Sequence, residues 1–510
     1  MGALAAGLIL MFVVSALLRL RYPFPLEQLE GTMALGVAHV AHGLPLYTRP
    51  DFTFIPYMYS PAYFYVAAFV AKTVGTGLLA LRLVSILSTL GCFAVIFALV
   101  FTETRSRFAA LAGAGLYAAA YPVTHNWFDL GRVDSLYVFL VLVALLATRK
   151  LHPVLAALAW TLAFLAKQTI APVAILMLFW NLKRPLLQRS RKQLAGLATF
   201  LFALISCNAW LDHSTHRWFS FYVYTVPGAN SDLRLHAAAF FPSASLLAPF
   251  SIALVVIAAA ALLTHLQWHA PRTRFYLFAG ISITGICWFL AAHAGATSNT
   301  AMPAYAILAV AFGVSLARLL DQLNESSFSA TRASCALLLL AVSAQLASQL
   351  YSPKLTAPTP EVQASQQMFV DWLRMFPGDV WVPAHPYEAV MAGKLSHPDD
   401  AAIHDAMRPN NSAVRASLTH AIQQAVDTES FDAIVLDRLP QDEMQASWIP
   451  LDWRAHYPVL GLVPGSSQAN PFSPRPRYVL LPCRSMSLPA VHAVRILSST
   501  TPPCPDSPSR

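Results

Sequence analysis

The sequence predicts a polytopic α-helical membrane protein of about eleven transmembrane helices. Two short interfacial helices are expected in its first long loop, and a soluble α/β domain at its C-terminal end. Three observations predict this. Hydrophobic residues make up 56% of the 510 and charged residues only 12%, about half the charged share of an ordinary soluble protein. Apolar runs of helical length recur from the first residues to Leu350. After Tyr351 the texture changes to Pro-punctuated sequence with charges and short strand-like runs.

The first run, 2–20, lacks a basic segment ahead of it and reads as a retained span rather than a cleaved signal peptide. The long stretch from Tyr22 to Phe69 follows and carries three carboxylates, Glu27, Glu30 and Asp51. Leu26 to His42 predicts an amphipathic helix stopped by Gly43-Leu44-Pro45. Tyr57 to Phe69 predicts an aromatic one opened by Ser60-Pro61. Helices this short lie in a membrane interface rather than cross it. Further spans are expected at 80–101, 108–121, 135–148, 153–166, 170–180, 194–211, 246–264, 275–293, 301–317 and 333–350. Those at 153–166 and 170–180 are short enough to be half-helices or re-entrant.

Orientation comes from the loops. Those at 102–107, 149–152, 181–193, 265–274 and 318–332 hold thirteen Lys or Arg. Those at 122–134, 167–169, 212–242 and 294–300 hold four, Arg132, Lys167, Arg217 and Arg234. The basic set faces the cytoplasm. This places the Glu27/Glu30 loop and everything after Leu350 outside a cytoplasmic (inner) membrane, with Arg19 and Arg21 as the contrary sign. The net charge of +9 is then a topology signal and not a nucleic-acid footprint.

Beyond the bundle (1–350), strands are expected at Val380–Val382, Ala433–Leu436, Val459–Val463 and Tyr478–Leu481. Helices are expected at Val362–Phe376 and Ala413–Thr428. The α/β domain is expected over 351–484 and a disordered tail over 485–510. Cys92, Cys207, Cys287 and Cys335 fall in apolar spans, whereas Cys483 and Cys504 could pair on an oxidising side. His385, His397 and His404 lack metal-ligand spacing and read as surface histidines. His39 and His42 lack a third ligand.

No span carries an ionisable residue near its centre, which argues against an ion-coupled transporter. The outer face instead gathers Glu27, Glu30, Asp51, His125, Asp129, Arg132, Asp134, Lys167, Gln168, Arg217 and Asn299, with Tyr222 to Tyr224. A carboxylate can deprotonate an acceptor hydroxyl, and Arg or Lys can stabilise a departing phosphate. The aromatic run Phe219, Phe221, Tyr222 and Tyr224 reads as an interface belt before a sugar platform.

Glu30-Gly31, Ala34, Gly43 and Pro45-Leu46-Tyr47, then Arg82 opening a span, GRVDSL and FLAKQT together resemble the C-type integral-membrane glycosyltransferases. These are the lipid-phosphosugar-dependent group that includes protein mannosyltransferases and the aminoarabinose transferase of lipid A. The resemblance covers residues 1–320, and more loosely the outer domain. It implies a polyprenyl-phosphate sugar donor, inverting single displacement and transfer of a hexosyl or pentosyl group to a glycan, lipid or protein acceptor. It also implies an acidic base early in the first loop: Glu30, or failing that Glu27, since Leu29 stands where many relatives have a paired acid. Asp134, with Asp129 as the alternative, matches the second acidic position, and Arg82, Arg132 and Lys167 match positions facing the donor phosphate. Asp51, Tyr59, Asp129, Gln168 and Asn299 complete the expected substrate-binding set.

Plainer readings stand beside these. Glu30 can cap an interfacial helix, Arg132 and Asp134 can form a structural ion pair, and Lys167 and Arg82 can snorkel. No cofactor is expected, and without an Asp-x-Asp in the outer loops a divalent metal is the weaker alternative. Partners are membrane lipids, the donor and the acceptor, with no nucleic acid. A lipid-linked sugar flippase or a polysaccharide polymerase or ligase is the rival reading. The polymerase fits poorly because 212–242 carries only two arginines.

Overall fold

The computed structural model describes residues 1–150, 152–180, 191–230, 247–263, 271–293, 295–325, 329–439, 453–464 and 476–497. Each apolar run is helical to within a few residues at its ends: α1 Gly2–Leu20, α4 Leu78–Thr104, α5 Arg107–Val123, α6 Asp134–Arg149, α7 Pro153–Ala166, α8 Ala171–Trp180, α9 Arg191–Ser214, α10 Ala248–Leu263, α11 Pro271–Ala291, α12 Met302–Glu325 and α13 Ser329–Ser348. The two short helices of the first loop are α2 Gln28–Ala41 and α3 Ala62–Val74. Gly2–Leu20, Leu78–Thr104, Leu194–Ser214, Thr273–Ala291 and Ser298–Asn324 are long and apolar enough to cross a membrane on length and composition alone.

Local sequence sets the boundaries. Ser106 caps α5 by accepting from the Ala109 N–H at 3.2 Å, Pro153 opens α7, and Gly75 closes α3 at φ 91°. The break between α7 and α8 is extended backbone at Lys167 followed by a 3₁₀ turn, Gln168–Ile170, which frees both polar side chains for other work. Small residues let the helices touch. A Cβ on Gly113 of α5 would lie 2.9 Å from the Ala309 carbonyl of α12, and one on Gly313 would lie 3.0 Å from the Ala109 carbonyl. Close backbone approach of this kind is how helices associate where hydrophobicity offers no net drive.

The C-terminal domain covers one end of the bundle. Its sheet runs β1 Val380–Trp381, β2 Ala433–Leu436, β4 Tyr478–Leu481, β3 Val459–Leu462, β5 Arg495–Ile496 in spatial order. The β1–β2 pair is parallel and the others antiparallel, with Ile434 opposite Leu480 and Gly461 opposite Ile496. Helices α14 Pro360–Arg374, α15 Pro386–Met391, α16 Asp400–Met407 and α17 Ser412–Asp427 accompany it.

The tail departs from expectation. Residues 483–497 form two 3₁₀ turns and β5, held because the Trp372 indole N–H donates to the Ala490 carbonyl at 2.9 Å and Ala490 is buried. Cys483 is disulfide-bonded, while Cys504 and the rest of the tail lie outside the described residues. The histidines also differ. His385 is buried and lies 3.1 Å from Asp437, and His397 is largely enclosed and lies 2.6 Å from Asp379, because a carboxylate beside each ring offers a partner that offsets its burial.

The first loop is packed between bundle and domain. Arg19 at the end of α1 donates to the Thr356 carbonyl at 2.9 Å, and Tyr22 donates to Gln366. Thr32 of α2 donates to Asp399 at 3.1 Å. Phe52 inserts among Trp381, His397 and Phe431 with ring centroids 4.9, 5.1 and 6.1 Å away; each aromatic pair adds about 0.5–1.5 kcal/mol beyond area burial. Phe219, Phe221 and Tyr222, expected as a belt, are buried, with Phe219 edge-on to Tyr47 of this loop and Tyr222 stacked on it.

Candidate active site

The polar residues at the covered end of the bundle sort into three groups. The first is a closed knot. Arg82, at the start of α4, grips Glu30 of α2 through Nη2 to Oε2 at 2.8 Å and Nε to Oε1 at 3.0 Å. Its remaining donors go to the carbonyls of Arg19, Tyr22 and Phe24 at 3.2, 2.5 and 2.7 Å. Glu30 also accepts from the N–H groups of Leu26 and Gly131, each at 2.7 Å. Both side chains are fully enclosed, at 1% and 0% exposure. Burial pushes the Glu30 carboxyl up, but Arg82 and the two N–H groups outweigh it and hold the carboxyl below its ordinary value. The expectation that Glu30 is the base and Arg82 faces a phosphate therefore meets a different geometry: the two saturate each other, and Glu30 also holds the chain leading into α2 through the Leu26 N–H.

The second knot is Arg19 with Asp129, Nε to Oδ2 at 2.8 Å, both 1% exposed. Tyr121 donates to the same carboxylate at 3.1 Å. This explains the arginine that ran against the charge bias of the loops. Asp129 is thereby occupied structurally. Asp51 is elsewhere again: its Oδ1 accepts from the Thr53 and Phe54 N–H groups at 2.7 and 3.0 Å in an exposed turn. Gln168 acts as a staple between loops, donating to the carbonyls of Met58 and Val223 at 2.8 and 3.2 Å.

The third group is a continuous, partly open array. Glu27, the residue before α2, accepts from Arg132 Nη1 at 2.8 Å and keeps 19% exposure. Arg132 Nη2 donates to the Tyr59 hydroxyl at 3.0 Å. Lys167 pairs with Asp134 at 2.7 Å, with 12% and 2% exposure, and its ammonium lies 6.0 Å from the Tyr59 ring centre. Trp127 donates its indole N–H to Asp134 at 2.9 Å and lies under the Arg132 guanidinium at 5.5 Å. Asn299 also bonds Asp134. Burial works against charge on Arg132 and Lys167, but Glu27 and Asp134 respectively outweigh it and raise both above their ordinary values, so both stay cationic.

Arg132 Nε is buried and has no hydrogen-bond partner. An unpaired guanidinium N–H beside a lysine has the chemistry to take an anionic oxygen. The loop that carries Arg132 is fixed from behind, since Ser85 donates to the Arg132 carbonyl at 3.3 Å and Thr89 and Ser135 donate to the Phe128 carbonyl at 2.8 and 2.7 Å. A cavity of about 480 Å³ has Glu27 and Trp127 in its wall. Among the described residues no group of three or more His, Cys, Asp or Glu is placed to hold a metal ion; His39 stacks on Phe54 at 3.9 Å instead.

The array brings together Glu27, Tyr59, Arg132, Asp134, Lys167 and Asn299. Sequence reasoning missed Trp127 and Arg19. A tryptophan two residues ahead of Asp129 and an arginine at the end of a span were both visible, but nothing in the sequence said which carboxylate each would meet.

No protein-family model matches the sequence, and no curated protein is similar to it at the sequence level. Solved structures are similar in three dimensions. ArnT from Cupriavidus metallidurans in the apo state superposes with a TM-score of 0.58 at 13% identity, over 94% of this chain and 97% of that one. The chain shares the fold of this ArnT structure. The Archaeoglobus fulgidus oligosaccharyltransferase, in complex with Zn and sulfate, superposes with a TM-score of 0.53 at 14% identity, over 92% of this chain and 72% of that one. Both likenesses extend over the bundle and the C-terminal domain together.

Proposed function

We propose that the chain is an integral-membrane glycosyltransferase that moves a sugar from a polyprenyl-phosphate donor to an acceptor hydroxyl, at the membrane face covered by the C-terminal domain. The observation that carries this reading is the Glu27–Arg132–Tyr59–Lys167–Asp134 array, with its orphaned Arg132 Nε, on a fold otherwise used for this chemistry.

In this reading Arg132 and Lys167 take the donor phosphate, and the phosphate displaces Glu27 from Arg132 Nη1. The released Glu27 carboxylate removes the acceptor proton as the acceptor oxygen attacks the anomeric carbon. The bond from that carbon to the phosphate oxygen breaks, and its electron pair leaves with the polyprenyl phosphate, so configuration inverts. Glu27 is preferred to Glu30 because a base must reach the proton it removes, and Glu27 is the exposed member of the pair. Asp134 keeps Lys167 and Trp127 in place. Phosphate charge is offset by two cations in a partly buried site, where such contacts count for more than in water.

The test is consumption of radiolabelled polyprenyl-phosphate sugars, extracted from membranes, by the purified protein. Release of polyprenyl phosphate with sugar transferred or hydrolysed supports the reading. Intact donor after prolonged incubation with folded protein across the available donors overturns it.

A further inference from the structure

The cavity beside Glu27 has features that donor binding does not use. It lies between the end of α1, the loop after α5 and the chain leaving α13, and Glu27, Arg19, Asn126, Trp127, Tyr351 and Leu355 are among the residues lining it. Its volume is within the range of small-molecule sites. Glu27 and Trp127 belong both to this wall and to the charged array, so a ligand here reaches the carboxylate that Arg132 holds.

Asn126 is the telling residue. It is only 9% exposed, and its side-chain carbonyl oxygen is buried with no hydrogen-bond partner. A buried unpaired carbonyl costs about 1–3 kcal/mol. Its backbone is held in the left-handed region at φ 62°, directly after His125 at φ 54°, a conformation that Asn and His adopt more readily than other side chains. The rest of the local structure enforces it: the Asn126 N–H donates to the Tyr121 carbonyl at 3.0 Å, and its carbonyl accepts from Arg19 Nη2 at 3.2 Å. An unmet acceptor at the cavity wall points to a ligand that donates.

The strongest donors of that wall are committed elsewhere. The Trp127 indole N–H goes to Asp134, and the Arg19 guanidinium goes to Asp129, Asn126 and Thr356. What remains is the Glu27 carboxylate, the Asn126 amide, the Tyr351 and Ser352 hydroxyls and aromatic walls from Trp127 and Tyr351. Vicinal hydroxyls, which both donate and accept, match that mixed set, and the C–H face of a sugar ring matches the aromatic walls.

We infer that this cavity is the acceptor subsite and that it takes the terminal sugar of a glycan, one hydroxyl donating to Asn126 while the reacting hydroxyl faces Glu27. The inference rests on the transferase reading for the word acceptor, but the sugar site itself does not.

The experiment is saturation-transfer NMR on the full chain in detergent, without donor. The probes are chitobiose, maltose and mannobiose, with a serine-containing hexapeptide as the contrasting ligand. Leu355 is 81% exposed at the mouth, so Leu355→Trp narrows the entrance without touching the core, and an unchanged melting temperature verifies its fold. Asn126→Leu removes the acceptor at similar volume. At least one disaccharide binds wild type, the peptide does not, and each substitution weakens sugar binding roughly ten-fold or more.

Absence of disaccharide binding in a wild type that consumes donor overturns the subsite and leaves the transferase standing, and so does binding that survives Leu355→Trp. Peptide binding lost in Leu355→Trp assigns the cavity to a protein acceptor and overturns the sugar. A wild type that binds disaccharide through these residues but consumes no donor keeps the sugar site and overturns the transferase.

Discussion

Arg82 and Glu30 meet through two hydrogen bonds, at 2.8 and 3.0 Å, with both side chains closed off from solvent. Their partners tie the exit of α1, the entry of α2 and Gly131 to one point. Removing one member leaves a buried charge uncompensated, at about 3–5 kcal/mol. Glu30→Gln and Arg82→Met are each expected to lower the denaturation midpoint strongly. The double variant is expected to lose less than the sum of the two, and additive losses would show that the pair is not coupled.

Lys167 stands 2.7 Å from Asp134 and is partly open. If it binds the donor phosphate, Lys167→Met lowers donor kcat/KM by roughly 10²-fold, with the loss greatest at low donor concentration. Unaltered donor kinetics in a folded variant would return Lys167 to a structural ion pair with Asp134.

Gly31 is where α2 passes under the C-terminal domain. A Cβ there would lie 2.6 Å from the Cβ of Tyr387 and 3.1 Å from Pro25. Gly31→Ala is expected to loosen the docking by about 1–3 kcal/mol, seen as faster proteolysis between α13 and α14. Tyr387→Gly in the same chain removes the clashing atom and restores part of the protection. Unchanged proteolysis in Gly31→Ala would contradict the tight contact.

The domain carries its own pH dependence. Burial, with Asp437 nearby, pushes the Asp400 carboxyl up to about 6 from 3.8, and Asp399 is raised by burial and by Asp400. Burial works against charge on His385, but Asp437 and Glu388 outweigh it and raise that group as well. A group raised on folding stabilises fully below its unfolded value and stops doing so as pH climbs through its folded value. For Asp400 the loss falls between about pH 4 and pH 7 and is on the order of 3 kcal/mol. The domain is therefore expected to melt higher at pH 5 than at pH 7.5, with a smaller difference in Asp400→Asn. The same difference in that variant would remove Asp400 from the account.

Much of this was readable in the chain. Apolar runs locate helices because a membrane demands long uncharged stretches, and Pro, Gly and Ser punctuation places their ends. Strands β1 to β4 were legible from their β-branched and aromatic runs, whereas β5, Arg495–Ile496, falls in the stretch that reads as a disordered tail. Pairing was the illegible part. Glu27 and Glu30 are three residues apart on one chain segment, yet the turn into α2 sends one to Arg132 and the other to Arg82. Asp51, Asp129 and Gln168 carry the right chemistry for a site, but local turns and a buried arginine use them up. Only the tertiary fold decides such competition.

Glu27→Gln tests the central claim most directly. The donor-consumption rate and the melting temperature of purified wild type and Glu27→Gln are compared on one polyprenyl-phosphate sugar with its acceptor. The account predicts a rate lower by about 10²–10⁴ at an unchanged melting temperature. A folded Glu27→Gln protein that turns over at the wild-type rate would contradict it.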